Sequence, residues 1–155
     1  PMILEYNVRF GDPENMNVLP LLATDFTEVC AKILEGDLGE RDACFKRLAT
    51  VCTYLVPEGY PESPVRDQRV EVDEEGVRKA GAEVFYASVY EKEGAIYTTG
   101  SRSICVVGIA PTLKEARRVD MAALGLVRGR VFHRTDIGSE ELIRRRVEHM
   151  ERVRG

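Results

Sequence analysis

The sequence begins with PMILEYNVRFGDPE, residues Pro1–Glu14, and this stretch decides which fold the chain is expected to adopt. Taken as a β-strand, it separates apolar from polar side chains, because alternate residues point to opposite faces. The apolar face consists of Met2, Leu4, Tyr6, Val8 and Phe10. The opposite face carries Glu5, Asn7 and Arg9 behind Ile3. A carboxylate, an amide oxygen and a guanidinium are thus predicted to project from one strand face at intervals of roughly 7 Å.

Glu5 and Asn7 form the strongest candidate pair for chemistry. Magnesium takes oxygen ligands and usually keeps water molecules and substrate phosphates in its shell, so a carboxylate and an amide suit it. Arg9, next on the same face, can clamp a phosphoryl oxygen or a carboxylate through two hydrogen bonds. The alternative is a solvent-exposed strand face without a ligand. Spacing alone favours that alternative, because alternation is the usual signature of a half-buried strand.

The turn at residues 11–14 offers two roles for Asp12. As a helix N-cap it would precede Pro13, the expected first helical residue. Alternatively, it faces a substrate amine while the helix N–H groups face an anion. Spacing alone favours the cap. A second helix is predicted over Asp25–Glu35, with Asp25 as its cap and Gly36 ending it.

Composition excludes several classes of protein. The chain has 155 residues and a net charge of −4, which fits one domain with a partial second and argues against a general nucleic-acid or membrane-surface binder. No apolar run approaches the roughly 18 residues that a membrane span needs. No basic region precedes the first apolar residues, so no signal peptide is predicted and a cytoplasmic location is expected.

The four cysteines, at positions 30, 44, 52 and 105, are widely spaced and include no CxxC pair. A zinc site is therefore not expected. In a cytoplasmic chain they are predicted to be buried free thiols, with a pairing of Cys44 and Cys52 left open.

The hydrophobic pattern changes from helical to extended after Gly36. Residues 36–47 are polar and are predicted to be a linker. Strands are predicted at 49–56, 70–72, 84–90, 95–99, 103–110 and 131–133, the third and fourth forming a hairpin. A helix over Thr112–Leu126 is predicted from the capping box of Thr112 and Glu115. A charged amphipathic helix, Ser139–Arg154, is predicted to complete the chain.

The run LEYNVRFGDPE, Leu4–Glu14, closely resembles the signature of the phosphoribosylamine–glycine ligase (glycinamide ribonucleotide synthetase) family, which are ATP-grasp enzymes of purine biosynthesis. Individually weaker similarities follow in the family's order. They are GYP at 59–61, VFYA at 84–87, TGSR at 99–102, TLKEA at 112–116 and RTDIG at 134–138. The resemblance implies an α+β chain in three parts. Residues 1–36 would be the C-terminal strand and helices of an ATP-grasp domain, 37–138 a small, mainly antiparallel β domain with flanking helices, and 139–155 a charged C-terminal helix.

The resemblance also implies a reaction, in which ATP drives the joining of glycine to 5-phosphoribosylamine through a glycyl phosphate, forming ADP and phosphate. Matched residue to residue, Glu5 and Asn7 fall on the family's magnesium or manganese ligands. Arg9 and Asp12 fall in its active-site signature as the implied catalytic residues. Family enzymes carry their substrate domain and nucleotide-covering region upstream of the LEYN motif.

This chain alone is therefore expected to be inactive and to need that N-terminal part as a partner. Apolar ATP-grasp surface left exposed also predicts self-association. The alternative function is a non-catalytic interaction or structural module that keeps the family fold.

Overall fold

The computed structural model describes Glu5, Tyr6 and residues 8–155. The chain divides into two compact units, Pro1–Leu48 and Ala49–Gly155. This division falls later in the chain than the family-based boundary after Gly36. Segment 44–46 belongs to the first unit because Ala23 N donates to Cys44 O at 2.7 Å and Lys46 N donates to Leu21 O at 2.8 Å.

The first unit is built from short helices. Helix α1 spans Glu14–Val18, a 3₁₀ turn follows at Leu19–Leu21, and helix α2 spans Phe26–Glu35. The prediction for α2 is confirmed at both ends. Asp25 Oδ1 accepts from Thr27 N at 2.7 Å, and Gly36 ends the helix in the left-handed conformation with φ 71°.

The predicted opening strand is wrong for the residues of it that the structure describes. Glu5, Tyr6 and residues 8–10 belong to no strand, and Tyr6 and Val8 of the apolar face are 80% and 94% exposed. A strand is stable only in a ladder with a neighbour, and all the strands found in the described chain lie in the second unit. The remainder of the predicted strand, residues 1–4 and Asn7, lies outside the described residues.

The second unit contains two four-stranded antiparallel sheets and three helices. Its strands are β1 (Ala49–Pro57), β2 (Arg69–Val72), β3 (Ala82–Tyr86), β4 (Val89–Lys92), β5 (Ala95–Thr98), β6 (Ile104–Ala110), β7 (Val127–Gly129) and β8 (Val131–His133). Its helices are α3 (Glu74–Lys79), α4 (Leu113–Leu124) and α5 (Glu140–Arg154). The strand orders are β3-β6-β1-β8 in one sheet and β4-β5-β2-β7 in the other. This arrangement confirms the predicted α+β class.

Two features of the second unit differ from the prediction. The single strand expected over 84–90 is divided between β3 and β4, which lie in different sheets. The division follows from long-range hydrogen bonds, since Ala87 N and Ser88 N donate to the carbonyls of Ser103 and Arg102, each at 2.9 Å. Helix α3 and strand β7 were not predicted, although Asp73 caps α3 by accepting from Gly76 N at 2.9 Å.

The core of this unit includes the contact between α4 and the strands β1 and β6. The buried face of α4 carries Ala116, Asp120, Ala123 and Leu124, at helical spacing. Gly108 of β6 permits the close approach, because a Cβ there would overlap the Ala116 carbonyl oxygen and the Asp120 backbone nitrogen. Among the described helices, none has both the length and the apolar character that a membrane span requires.

Candidate active-site segment

The candidate site residues lie on the segment that leads into α1. Glu5, Arg9 and Asp12 are all exposed, while Asn7 lies outside the described residues. Arg9 Nη1 donates to the carbonyl oxygen of its neighbour Phe10 at 2.9 Å. The structure therefore presents Glu5, Arg9 and Asp12 on a surface.

Asp12 does not cap α1, and this prediction is wrong. The N-cap of the helix is Pro13, with φ −99° and ψ 13°, and no side chain caps it. The helix begins one residue later than expected, at Glu14, and the turn is closed instead by Asn15 N donating to Gly11 O at 3.0 Å. A Cβ at position 11 would meet only the flexible end of the exposed Glu14 side chain, which can move aside. The role of Asp12 towards a substrate stays a prediction.

Glu5 is the described member of the predicted pair of metal ligands. In the described part of the chain, no cluster of three or more His, Cys, Asp or Glu side chains is placed to hold a metal. Glu5 offers an exposed carboxylate. Such a ligand suits a magnesium ion that takes its other oxygens from an amide, phosphates and water.

The first unit exposes several apolar side chains, both on this segment and on α2. Phe10 and Phe26 lie with their ring centroids 6.4 Å apart, yet they are 54% and 48% exposed. Val29 is the only buried hydrophobic residue among the described residues of this unit. The apolar side chains of α2 are therefore largely uncovered, since Ile33 and Leu34 are also 57% and 88% exposed.

The TGSR stretch at 99–102 lies in the loop that connects β5 of one sheet to β6 of the other. The Ser88 and Thr99 hydroxyls are hydrogen-bonded at 2.7 Å, and Gly100 takes φ 106°. The guanidinium carbon of Arg102 lies 5.1 Å from the centre of the Tyr54 ring. These contacts describe a packed loop in which Arg102 makes a cation–π contact.

Sequence reasoning missed the polar pair at the centre of the second unit. Asp120 is 0% exposed, and its Oδ2 accepts from the Thr53 hydroxyl at 2.7 Å. Its Oδ1 is buried without a hydrogen-bond partner. Burial raises the pKa of Asp120 to about 7, against the opposing effects of the Thr53 hydrogen bond and the Arg117 charge. The only signal in the sequence was the position of Asp120 on the same face of α4 as Ala116 and Ala123.

The cysteines follow their prediction only in part. None of the four is in a disulfide, but Cys44 is exposed and Cys30 is half-buried, whereas Cys52 and Cys105 are buried. Cys52 does not pair with Cys44; its sulfur lies 2.8 Å from that of Cys105. Cys105 is the neighbour of Cys52 because of the register in which β1 and β6 pair. The local sequence around Cys52 does not determine that register.

Comparison with known proteins assigns this α+β chain to a protein family. Residues 50–140 match the family model described as "Phosphoribosylglycinamide synthetase, C domain", and the chain belongs to this family. The match lies wholly within the second unit. The resemblance drawn from the sequence motifs is thereby confirmed.

Individual relatives match over nearly the whole chain. It is 51% identical over 154 residues to a phosphoribosylamine–glycine ligase from Methanocaldococcus jannaschii, covering 99% of this chain and 35% of the relative. It is 48% identical over 155 residues to the enzyme of that name from Methanosarcina barkeri, covering 100% and 35%. The crystal structure of a Thermotoga maritima phosphoribosylamine–glycine ligase matches with a TM-score of 0.69 and 31% identity, covering 88% of this chain and 33% of that one. The chain thus spans about a third of the length of these curated relatives.

Proposed function

We propose that this chain is the C-terminal part of an ATP-dependent ligase that joins glycine to 5-phosphoribosylamine in purine biosynthesis. The products would be glycinamide ribonucleotide, ADP and phosphate, with glycyl phosphate as the intermediate. The observation that carries the proposal is the 51% identity to the M. jannaschii ligase across 99% of this chain. We place the reaction in the cytoplasm, where four free thiols are expected to stay reduced.

The proposed active-site contribution comes from the first unit. Glu5 and Asn7 would hold a magnesium or manganese ion. When bound, that ion would offset the negative charge on the ATP phosphates. Arg9 would exchange its exposed bond to the Phe10 carbonyl for two bonds to a phosphoryl or acyl-phosphate oxygen. Asp12, also exposed, would accept from the substrate amine.

These groups require further protein to act. Exposed side chains on a surface segment give little binding energy, because they neither enclose the substrate nor exclude water. The exposed apolar side chains beside them, including Phe10 and Phe26, supply surface on which the N-terminal part can pack. We therefore propose that the isolated chain is inactive and that the upstream part of the ligase is its partner.

A chimera tests this proposal directly. The C-terminal third of the M. jannaschii ligase is replaced by this chain, and glycine-dependent formation of glycinamide ribonucleotide from ATP and 5-phosphoribosylamine is measured. An active chimera that loses about a hundredfold or more in kcat on Glu5→Gln supports the assignment, since removal of a metal ligand should act on the chemical step. The matched control is Glu91→Gln, an exposed carboxylate of β4.

Two outcomes would contradict the proposal. A chimera that folds but makes no product would favour a non-catalytic module. A chimera whose activity is equally insensitive to Glu5→Gln and Glu91→Gln would remove Glu5 from the site. Folding of each chimera is checked by circular dichroism, so that loss of structure is distinguished from loss of chemistry.

A further inference from the structure

Two buried thiols meet between β1 and β6, the central strands of the β3-β6-β1-β8 sheet. Cys52 lies on β1 opposite Val107, and Cys105 lies on β6 opposite Tyr54, so the two cysteines are diagonal neighbours across adjacent antiparallel strands. Their side chains share one face of the sheet, because residues two apart on a strand point the same way. The two side chains lean towards each other along this diagonal, as the contact between their sulfur atoms shows.

The two sulfur atoms are unusually close for separate thiols. Their separation is 2.8 Å. A disulfide bond measures about 2.05 Å, so a shift of less than about 1 Å would bring the sulfurs to bonding distance. Cys105 Sγ also donates to the Val106 carbonyl oxygen at 3.7 Å.

The two thiols differ in access. Cys52 is 9% exposed, whereas Cys105 is 0% exposed. A small oxidant would therefore meet Cys52 first, with Cys105 already in place to react with it. Cys30 and Cys44 belong to the other unit, so the pair within the second unit consists of Cys52 and Cys105 alone.

We propose that Cys52 and Cys105 form a reversible intramolecular disulfide when the protein meets hydrogen peroxide. In the first step the Cys52 thiolate attacks one peroxide oxygen; an S–O bond forms, the O–O bond breaks, and hydroxide leaves as water after taking a proton. In the second step the Cys105 thiolate attacks the sulfur of the Cys52 sulfenic acid; an S–S bond forms and hydroxide leaves as a second water molecule. Two thiols are oxidised and one peroxide is reduced to two waters. A thiol reductant reverses the bond by exchange.

The bond would tie together the two central strands of the sheet. It would close a loop between residues 53 positions apart, and cross-links over loops of this length restrict the unfolded chain strongly. We expect oxidation to raise the melting temperature of the second unit by roughly 10 °C. The inference is independent of the ligase assignment, because it uses only the geometry of β1 and β6.

The experiment uses the wild-type chain. It is treated with hydrogen peroxide, unfolded in the presence of an alkylating agent, and digested with trypsin without reduction. Trypsin releases each cysteine on a different peptide, with Cys52 on residues 48–66 and Cys105 on residues 103–114. We expect these two peptides to appear joined, with a mass lower by two hydrogen atoms than their sum, and to separate after reduction.

Cys52→Ala and Cys44→Ser provide the comparison. The first should leave Cys105 reduced and remove the thermal shift, while the second, at an exposed thiol, should change neither. A disulfide that includes Cys30 or Cys44 in place of this pair would overturn the proposal. So would peroxide treatment that leaves both buried thiols alkylatable, or that carries Cys52 to a sulfinic acid without any link. The wild-type mapping decides these outcomes even if Cys52→Ala disturbs folding.

Discussion

Replacing Asp120 by asparagine should change how the stability of the second unit depends on pH. Asp120 is fully buried, accepts one hydrogen bond from Thr53 and has an unpartnered Oδ1. Burial raises its pKa from an ordinary 3.8 to about 7. The asparagine side chain has nearly the same shape and can still accept from the Thr53 hydroxyl, but it cannot ionise.

The sign of the effect follows from proton binding. Because the pKa of Asp120 is higher in the folded than in the unfolded state, the folded state holds the proton over a range in which the unfolded state has lost it. The stabilising contribution is complete below about pH 4 and is lost as pH rises towards about 7. A difference of about three pKa units corresponds to about 4 kcal/mol, the largest change expected across this range.

Urea unfolding of wild type and Asp120→Asn, followed by circular dichroism from pH 4 to pH 8, measures this contribution. We expect the variant to gain stability relative to wild type as pH rises, by up to about 4 kcal/mol. Carboxyls with a lowered pKa, such as Asp136 beside Arg134, act in the opposite direction. They cancel in the difference between the two proteins, because both contain them. Glu91→Gln, on an exposed strand position, serves as the matched control.

Parallel curves for wild type and Asp120→Asn would refute the reasoning, because they would show that Asp120 has the same proton affinity folded and unfolded. A variant that loses relative stability as pH rises would refute it more strongly. Such a result would mean that the charged form of Asp120 is the better accommodated one in the folded protein.

Three further predictions concern packing, activity and autonomy. Gly108→Ala should lower the free energy of unfolding by about 3 kcal/mol in urea, because the added methyl overlaps the backbone of α4; an unchanged midpoint would show that the helix can move away. The purified chain should show no glycine-dependent ATP hydrolysis in a phosphate-release assay, and activity above a Glu5→Gln control would contradict the need for the upstream part. A chain of residues 49–155 should unfold cooperatively, because both sheets lie within it; failure to do so would show that the first unit is required.

Capping residues in the sequence correctly predicted where helices α4 and α5 begin. Thr112 caps α4 by accepting from Glu115 N at 3.3 Å, and Ser139 caps α5 by accepting from Leu142 N at 3.2 Å. Strands β1 and β6 were predicted because residues 49–56 are rich in β-forming residues and residues 103–110 form an apolar run. The division between β3 and β4 could not be found in this way, since it depends on carbonyls fifteen or so residues further along the chain.

The alternation in residues 1–10 shows why a correct pattern can still mispredict structure. Its parity describes a strand with one buried face, but a strand also needs hydrogen-bonding neighbours, and alternation carries no information about where they are. Among the described residues, Val8 and Phe10 have no covering layer and remain exposed. The prediction of Asp12 as a cap also failed, because Asn15 N donates to the Gly11 carbonyl oxygen instead of to the Asp12 side chain.

Family membership and the candidate chemistry rest on different parts of this chain. The family model matches residues 50–140, which form the sheets and α4, whereas all four candidate site residues precede Pro13. The match therefore establishes what the second unit is without testing what Glu5 or Arg9 does. Only the relatives that align over 99% of the chain connect the two parts. An experiment on the proposed function must accordingly perturb the first unit while the second stays folded, as substitution at Glu5 in the chimera does.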